Sequence, residues 1–323
     1  VSGGLKPYHW VLGALACCLL GLGLGAVRHG LRGKATGFSK ALDFGTPRVA
    51  ILPLDGEIQD SESTIHWLKR FGHDVRGVKA IVIALDTPGG GVAPSQEICQ
   101  EIYRLRDDGV VVVASMGNMA ASGGYYISTA CDEIVADPGT VTGSIGVIMD
   151  SYHAEKLLDK VGVKFETIKS GEFKDSGSFS RPMLPRERAL FQTAINDVYD
   201  QFVEAVAEGR HDAFASVLAH RSGRKADSFT EAEVKAYAKS LADGRIYTGR
   251  QALDLGLVDS LGGLDDAVDR ASELAGIHDP EVITYRQSKS LAEWMTGMTR
   301  ADLKAWVRQA FSGDGPAMSF LFR

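Results

Sequence analysis

Cysteine is scarce in this chain, with four among 323 residues, at positions 17, 18, 99 and 131. No two of them stand at a metal-ligand spacing, and the eight histidines form no H-E-x-x-H cluster. The sequence therefore points to no metal and to no organic cofactor. Cys99 and Cys131 read as small buried hydrophobes. Excess basic charge is missing as well: the net charge is −6, without the footprint of a nucleic-acid partner. There is no internal repeat and no low-complexity block. The most telling absence is histidine, which does not occur between His73 and His153. That is the stretch in which a serine is best displayed.

What is present is ordinary for a globular protein: 45% hydrophobic and 24% charged residues, and length for one large or two modest domains. Residues 10–27 carry no charge. Together with Tyr8 and Trp10 as interfacial side chains, they predict a membrane anchor within an N-terminal segment, residues 1–29. A cleaved signal peptide would need a small-x-small site before Arg28, and none is convincing. Cys17 lies too deep in the run for a lipoprotein. Lys6 precedes the span while Arg28, Arg32, Lys34 and Lys40 follow it, so charge alone would place the main domain in the cytoplasm.

Residues 30–47 read as a polar tether and residues 48–285 as the folded domain. Buried-strand patterns are predicted at Val49 to Leu54, Val78 to Leu85, Val110 to Ala114, Glu133 to Ala136, Ile145 to Met149 and Phe165 to Ile168. Helices alternate with several of them, which predicts an α/β succession around a mostly parallel sheet. A helical part follows Pro185, with Leu190, Ala194, Val198, Phe202 and Ala205 on one face of a long helix. Residues 211–240, with Arg221, Arg224 and Lys225, read as a surface insertion. Residues 286–323 carry Leu303, Trp306, Val307, Ala310 and Phe311 at helical spacing and read as an amphipathic helical tail. That tail is expected to pack on its own domain or on a neighbouring subunit.

Within Gly117–Tyr126, small residues join a strand to a helix and lift Ser122 off the sheet end. Glycine at 123 and 124 lets another backbone approach, and the Gly123 N–H is placed for an oxyanion. A packing turn would use the same residues. A nucleophilic serine needs a base, and the chain offers Ser170-Gly171-Glu172-Phe173-Lys174-Asp175 in place of a histidine. A desolvated lysine can serve as that base. Lys169 is the rival. Thr87-Pro88-Gly89-Gly90-Gly91 opens a helix, and an amide of Gly89 or Gly90 can join that of Gly123 around an anion. Ser144, in Thr142-Gly143-Ser144-Ile145-Gly146, can hold the lysine amine.

Taken in order, Asp86–Gly91, Ala121–Tyr126, Thr142–Val147, Ser170–Asp175 and Asp243–Ala252 with Leu255–Asp259 resemble the signal peptide peptidase A family, serine peptidase family S49, in its short single-copy form. The resemblance covers about residues 48–277. It implies a Clp protease/crotonase-like fold of repeated ββα units with a helical C-terminal part, preceded by one transmembrane helix. It makes Ser122 the nucleophile and Lys174 the general base, with Ser144 in support and Gly89 and Gly123 as the oxyanion hole. It also implies a homo-oligomeric ring in which adjacent subunits can share the dyad, and a catalytic domain on the exoplasmic side of the inner membrane. The Asp243–Gln251 motif reads as structural.

The function expected on this reading is hydrolysis of peptide bonds in remnant signal peptides or other apolar, extended segments. No nucleic acid takes part. A lysine base must be neutral to act, so activity should rise on the alkaline side. The rivals are a non-catalytic membrane scaffold that retains the fold and a crotonase-like acyl-CoA enzyme, which would need neither Ser122 nor Lys174.

Overall fold

The structure, a computed structural model, describes residues 46–285 and 321–322. The expected anchor, most of the tether and most of the tail lie outside them. Among the described residues, no helix is long and apolar enough to cross a membrane.

The domain opens with β1 (Arg48–Asp55), α1 (Glu62–Lys69) and β2 (Val78–Thr87). Next come β3 (Gly90–Gly91), α2 (Val92–Asp107) and β4 (Val111–Ala121), which runs directly into α3 (Gly123–Ser128). Two short strands follow, β5 (Glu133–Ala136) and β6 (Val141–Gly143), and then α4 (Glu155–Val161). The helical part comprises α5 (Pro185–Gly209), α6 (His211–Ser222) and α7 (Glu231–Leu241). The chain then returns through β7 (Ile246–Thr248), α8 (Gly249–Leu255), β8 (Ser260–Leu261), α9 (Leu264–Leu274) and β9 (Glu281–Thr284). A last strand, β10 (Leu321–Phe322), pairs with β3.

The main sheet has the order β7-β6-β4-β2-β1-β9, with β5 on β4 and β8 on β5. Every pairing in it is parallel except β6 with β7. Alternation along the strands sorts side chains to two faces. Val49, Ile51, Ala80, Val82 and Val113 pack under α9 through Ala267, Val268 and Ala271. Ala50, Leu52, Ile81, Ile83, Val112 and Ala114 face the larger core, with Ile98, Ile102 and Leu105 of α2 and Phe202 of α5. Both faces are covered, which is why the strands read as continuous apolar runs.

One edge of β4 is divided. Val113 to Met116 lie beside β5, whereas Met119 to Ala121 lie beside β6. The register with β2 slips between Leu85 and Thr87. The far half of β4 thus departs from the rest of the sheet and carries the chain to Ser122.

Two expected strands do not form. Ile145 to Met149 contains a single bridge residue, Ile148, and Phe165 to Ile168 is irregular, with Ile168 96% exposed. The edge of β6 that they would need is taken by β7, which arrives from far along the sequence. The 211–240 segment is no mere surface insertion. Phe214 of α6 and Val234 and Ala238 of α7 are buried in the main core.

A buried ion pair joins the helical part to the sheet. Arg210, 4% exposed, donates to both carboxylate oxygens of Asp259 at 2.7 Å and to the Gly256 carbonyl at 3.0 Å. Asp259 also accepts the Ile134 N–H at 2.7 Å. Removing the carboxylate would strand a buried guanidinium. Asp259→Ala is expected to cost about 3–5 kcal/mol in chemical unfolding, whereas exposed Asp254→Ala should stay within about 0.5 kcal/mol.

Candidate active site

Ser122 is placed by the turn from β4 into α3. Its φ of 52° and ψ of −113° are strained for a residue with a side chain. Backbone bonds hold it there: its N–H donates to the Gly143 carbonyl at 2.8 Å, and its carbonyl accepts from Tyr126 N–H at 2.8 Å. Tyr125, fully buried, anchors α3 by donating its hydroxyl to Leu257 O at 2.9 Å. The Ser122 side chain has no solvent exposure, and its Oγ has no hydrogen-bond partner within the chain. A buried hydroxyl left unpaired costs about 1–3 kcal/mol, so this is an expensive place for a serine with no task.

Glycine is required on the next two positions. A Cβ on Gly124 would stand 2.6 Å from Thr87 Cγ2, and one on Gly123 would stand 2.7 Å from Ser95 Oγ and 3.2 Å from Gly90 N. The start of α3 therefore lies directly against the Thr87–Gly91 loop. That loop is fixed from both sides. Gly89 N–H donates to Thr87 Oγ1 at 3.1 Å, Gly91 N–H donates to Ile58 O at 2.7 Å, and Gly89 O accepts from Ile58 N–H at 2.8 Å. Two of the three glycine amides are thereby engaged. This corrects the choice of Gly89 for the oxyanion pair: the loop amide left to face the Gly123 side is that of Gly90. Gly123 itself heads α3, where the first N–H groups of a helix lack intrahelical acceptors.

Ser144 comes to the same place through β6. Ala121 is opposite Gly143 in parallel register, so Ser122 and Ser144 follow side by side at the ends of adjacent strands. Ser144 shares the left-handed backbone, at φ 50°, and its N–H donates to Arg245 O at 2.9 Å. The Asp243–Gln251 motif is structural as expected. Arg245 pairs with Asp243, and Thr248 caps α8 in a reciprocal bond with Gln251.

Lys174 is not brought to Ser122 within the single chain. It is exposed, on a turn closed by its own N–H to Gly171 O at 3.2 Å. Lys169 is already committed, donating to Asp175 Oδ1 at 2.5 Å and to Glu172 O at 3.0 Å. That ion pair favours its charged form, which is the wrong one for a base. The cysteines offer no alternative nucleophile. Both are buried, and burial pushes the Cys99 thiol up to about 12 and raises Cys131 as well.

Sequence reading missed Ser95, Thr87 and the clamp under the Lys174 turn. Ser95 is buried and donates to Gly91 O at 2.9 Å. The clamp is Arg181, which reaches Asp175 Oδ2 at 3.1 Å and both oxygens of Glu187 at 2.5 and 2.9 Å. Glu187 in turn accepts from Leu184 N–H at 2.9 Å, capping α5. The residue beside Lys174 is thereby tied to the start of the long helix. The only advance signal was the Pro185 helix start with glutamate in its first turn.

The hydrogen bond from Arg181, followed by that from Leu184, holds the Glu187 carboxyl at about 2, against an ordinary 4.5. A carboxylate held low contributes stability in full above its ordinary pKa and loses it as pH falls toward the lowered one. The stability gap between the wild type and Glu187→Gln should therefore be flat above about pH 5 and close between about 4.5 and 2. Thermal unfolding of both forms across that range checks it.

Comparison with known proteins agrees with this geometry. Residues 104–278 match Peptidase family S49. The chain is 45% identical over 221 residues to a Synechocystis sp. protein named as a candidate protease, covering 68% of this chain and 72% of that one. It is 32% identical over 269 residues to an Enterococcus faecium protein named as a candidate signal peptide peptidase SppA, covering 76% and 72%. It is 34% identical over 261 residues to Protease 4 of Haemophilus influenzae, covering 77% of this chain and 38% of that protein. The chain is thus a serine protease belonging to Peptidase family S49.

Proposed function

We propose that this protein is a membrane-anchored endopeptidase in which Ser122 is the nucleophile and Lys174 the general base. The observation that carries the reading is Ser122 itself: strained, buried, unpartnered and set against Gly90 and Gly123. Lys174 takes the hydroxyl proton as Ser122 Oγ attacks the scissile carbonyl. The Gly123 and Gly90 amides hold the oxyanion, and the protonated lysine then passes its proton to the leaving amine. Water resolves the acyl-enzyme. Ser144, beside Ser122, orients the incoming amine.

The missing base is supplied by a neighbouring subunit. Within one chain Lys174 is exposed and Ser122 Oγ has no partner. The segment around Lys174 also exposes Tyr152 (70%), Leu157 (62%), Val161 (63%), Phe165 (60%) and Ile168 (96%). So many large apolar side chains on one stretch fit a surface covered by another copy of the chain. We place the anchor at residues 10–27 and the catalytic domain on the exoplasmic side. The substrates are remnant signal peptides or other apolar, extended segments, bound as an added strand. The name of the Enterococcus faecium relative supports that substrate class.

Hydrolysis of an apolar fluorogenic peptide by the full chain, Ser122→Ala and Lys174→Ala tests the reading. Each variant should lose about 10³-fold or more in kcat with oligomer size unchanged. Mixing the two dead variants should restore part of the activity, because some interfaces then pair an intact Ser122 with an intact Lys174. Undiminished activity in Lys174→Ala would refute the dyad, and failure of the mixture to recover would confine it to one chain. Rate should rise on the alkaline side, since only a neutral lysine accepts the proton.

A further inference from the structure

The edge of the Gly89–Gly91 loop that faces away from Ile58 already has an occupant, and it comes from the chain itself. β10 runs antiparallel to β3, with Leu321 opposite Gly91 and Phe322 opposite Gly90. Gly89 O and Gly91 N–H are both turned to Ile58. Successive residues of a strand turn their backbone groups to opposite sides, so Gly90 turns its N–H and C=O to the other edge, where Phe322 lies. An antiparallel strand on that edge is the arrangement a peptide adopts in strand addition.

The same Gly90 amide is the second oxyanion donor in the mechanism above. It cannot serve a substrate carbonyl and the backbone of Phe322 at once. The sequence of the occupant matches the substrate chemistry too: Ala317-Met318-Ser319-Phe320-Leu321-Phe322 is uncharged and mostly apolar. We infer that the segment containing Leu321–Phe322 is an internal pseudosubstrate, which competes with peptides for the Gly90–Gly91 edge. This rests on the reading of that edge as the substrate-binding edge. A segment of the same molecule is presented at an effective concentration on the order of 1 mM. Peptides well below that level meet an occupied cleft. Peptides in large excess, or held at high local density, displace the segment.

The test uses the full chain, a form lacking residues 317–323, and Phe322→Pro, which removes the N–H that faces Gly90 O. Relief of an internal competitor lowers KM and leaves kcat alone. Both altered forms should therefore show a KM for the fluorogenic peptide about tenfold lower, with kcat unchanged. An unchanged KM in an active enzyme would overturn the inference while leaving the protease reading intact. A second readout does not need turnover: binding of a labelled Met-Ser-Phe-Leu-Phe-Arg peptide to each form carrying Ser122→Ala. The shortened form should bind it about tenfold more tightly than the full chain. Equal binding, or none by either form, would overturn the inference whatever the activity. Loss of turnover in every form alongside tighter peptide binding would sink the protease reading and leave the occupancy standing.

Discussion

The left-handed backbone at Ser122 is the constraint on which the rest of the site depends. A residue with a side chain held there costs of order 1–3 kcal/mol and persists only where its surroundings over-determine it. Here they do. The Gly143 carbonyl receives the Ser122 N–H, Tyr126 closes on the Ser122 carbonyl, and Tyr125 is pinned to Leu257 from inside the core. Gly123 and Gly124 have no side chain because Ser95, Gly90 and Thr87 occupy that space. The strand–turn–helix geometry, the glycine loop and the end of β6 are mutually dependent parts of one device. Its purpose is to hold a hydroxyl still against two amides.

The division of β4 explains how the device is fed from three directions. Its first half is an ordinary member of a parallel sheet, between β2 and β5. Its second half exchanges β5 for β6, which brings Ser144 beside Ser122 and the Asp243–Gln251 motif behind both. On the other flank Thr87 engages Gly89 and Ile58 engages Gly91, which leaves Gly90 as the exposed step of the loop. The base belongs to a different mechanical unit. Lys174 sits on an exposed turn whose rigidity comes from Arg181, Asp175 and Glu187, with no support from the sheet. The nucleophile is built into a core and the base onto a surface, which suits a site completed by a second copy of the chain.

Much of this was legible from residue patterns, and the failures are instructive. Long apolar runs located β1, β2, β4 and β5 because strands buried on both faces leave no room for polar alternation. The glycines around Ser122 announced a close backbone approach. The Phe165–Ile168 run misled for a physical reason: β-rich composition marks a segment that can pair, and pairing also needs a vacant edge. The segment at 211–240 misled in the opposite sense, since its charges hid Phe214, Val234 and Ala238, which are buried. The choice between Gly89 and Gly90 could not be made from sequence at all, because adjacent glycines look alike until a threonine hydroxyl claims one of them.

The sequence by itself determined the class of fold, the identity of the displayed serine and the small residues that permit its turn. These are local matters, governed by periodicity and by the conformations a side chain forbids. Tertiary structure decided which amide of the glycine loop is left over, that Ser144 lies next to Ser122, and that Lys169 is spent in an ion pair. It also decided that Lys174 stands apart from the serine within one chain, and that Leu321–Phe322 takes the Gly90–Gly91 edge. Each of those depends on which distant segments meet, and contact between residues far apart in sequence leaves no trace in local pattern.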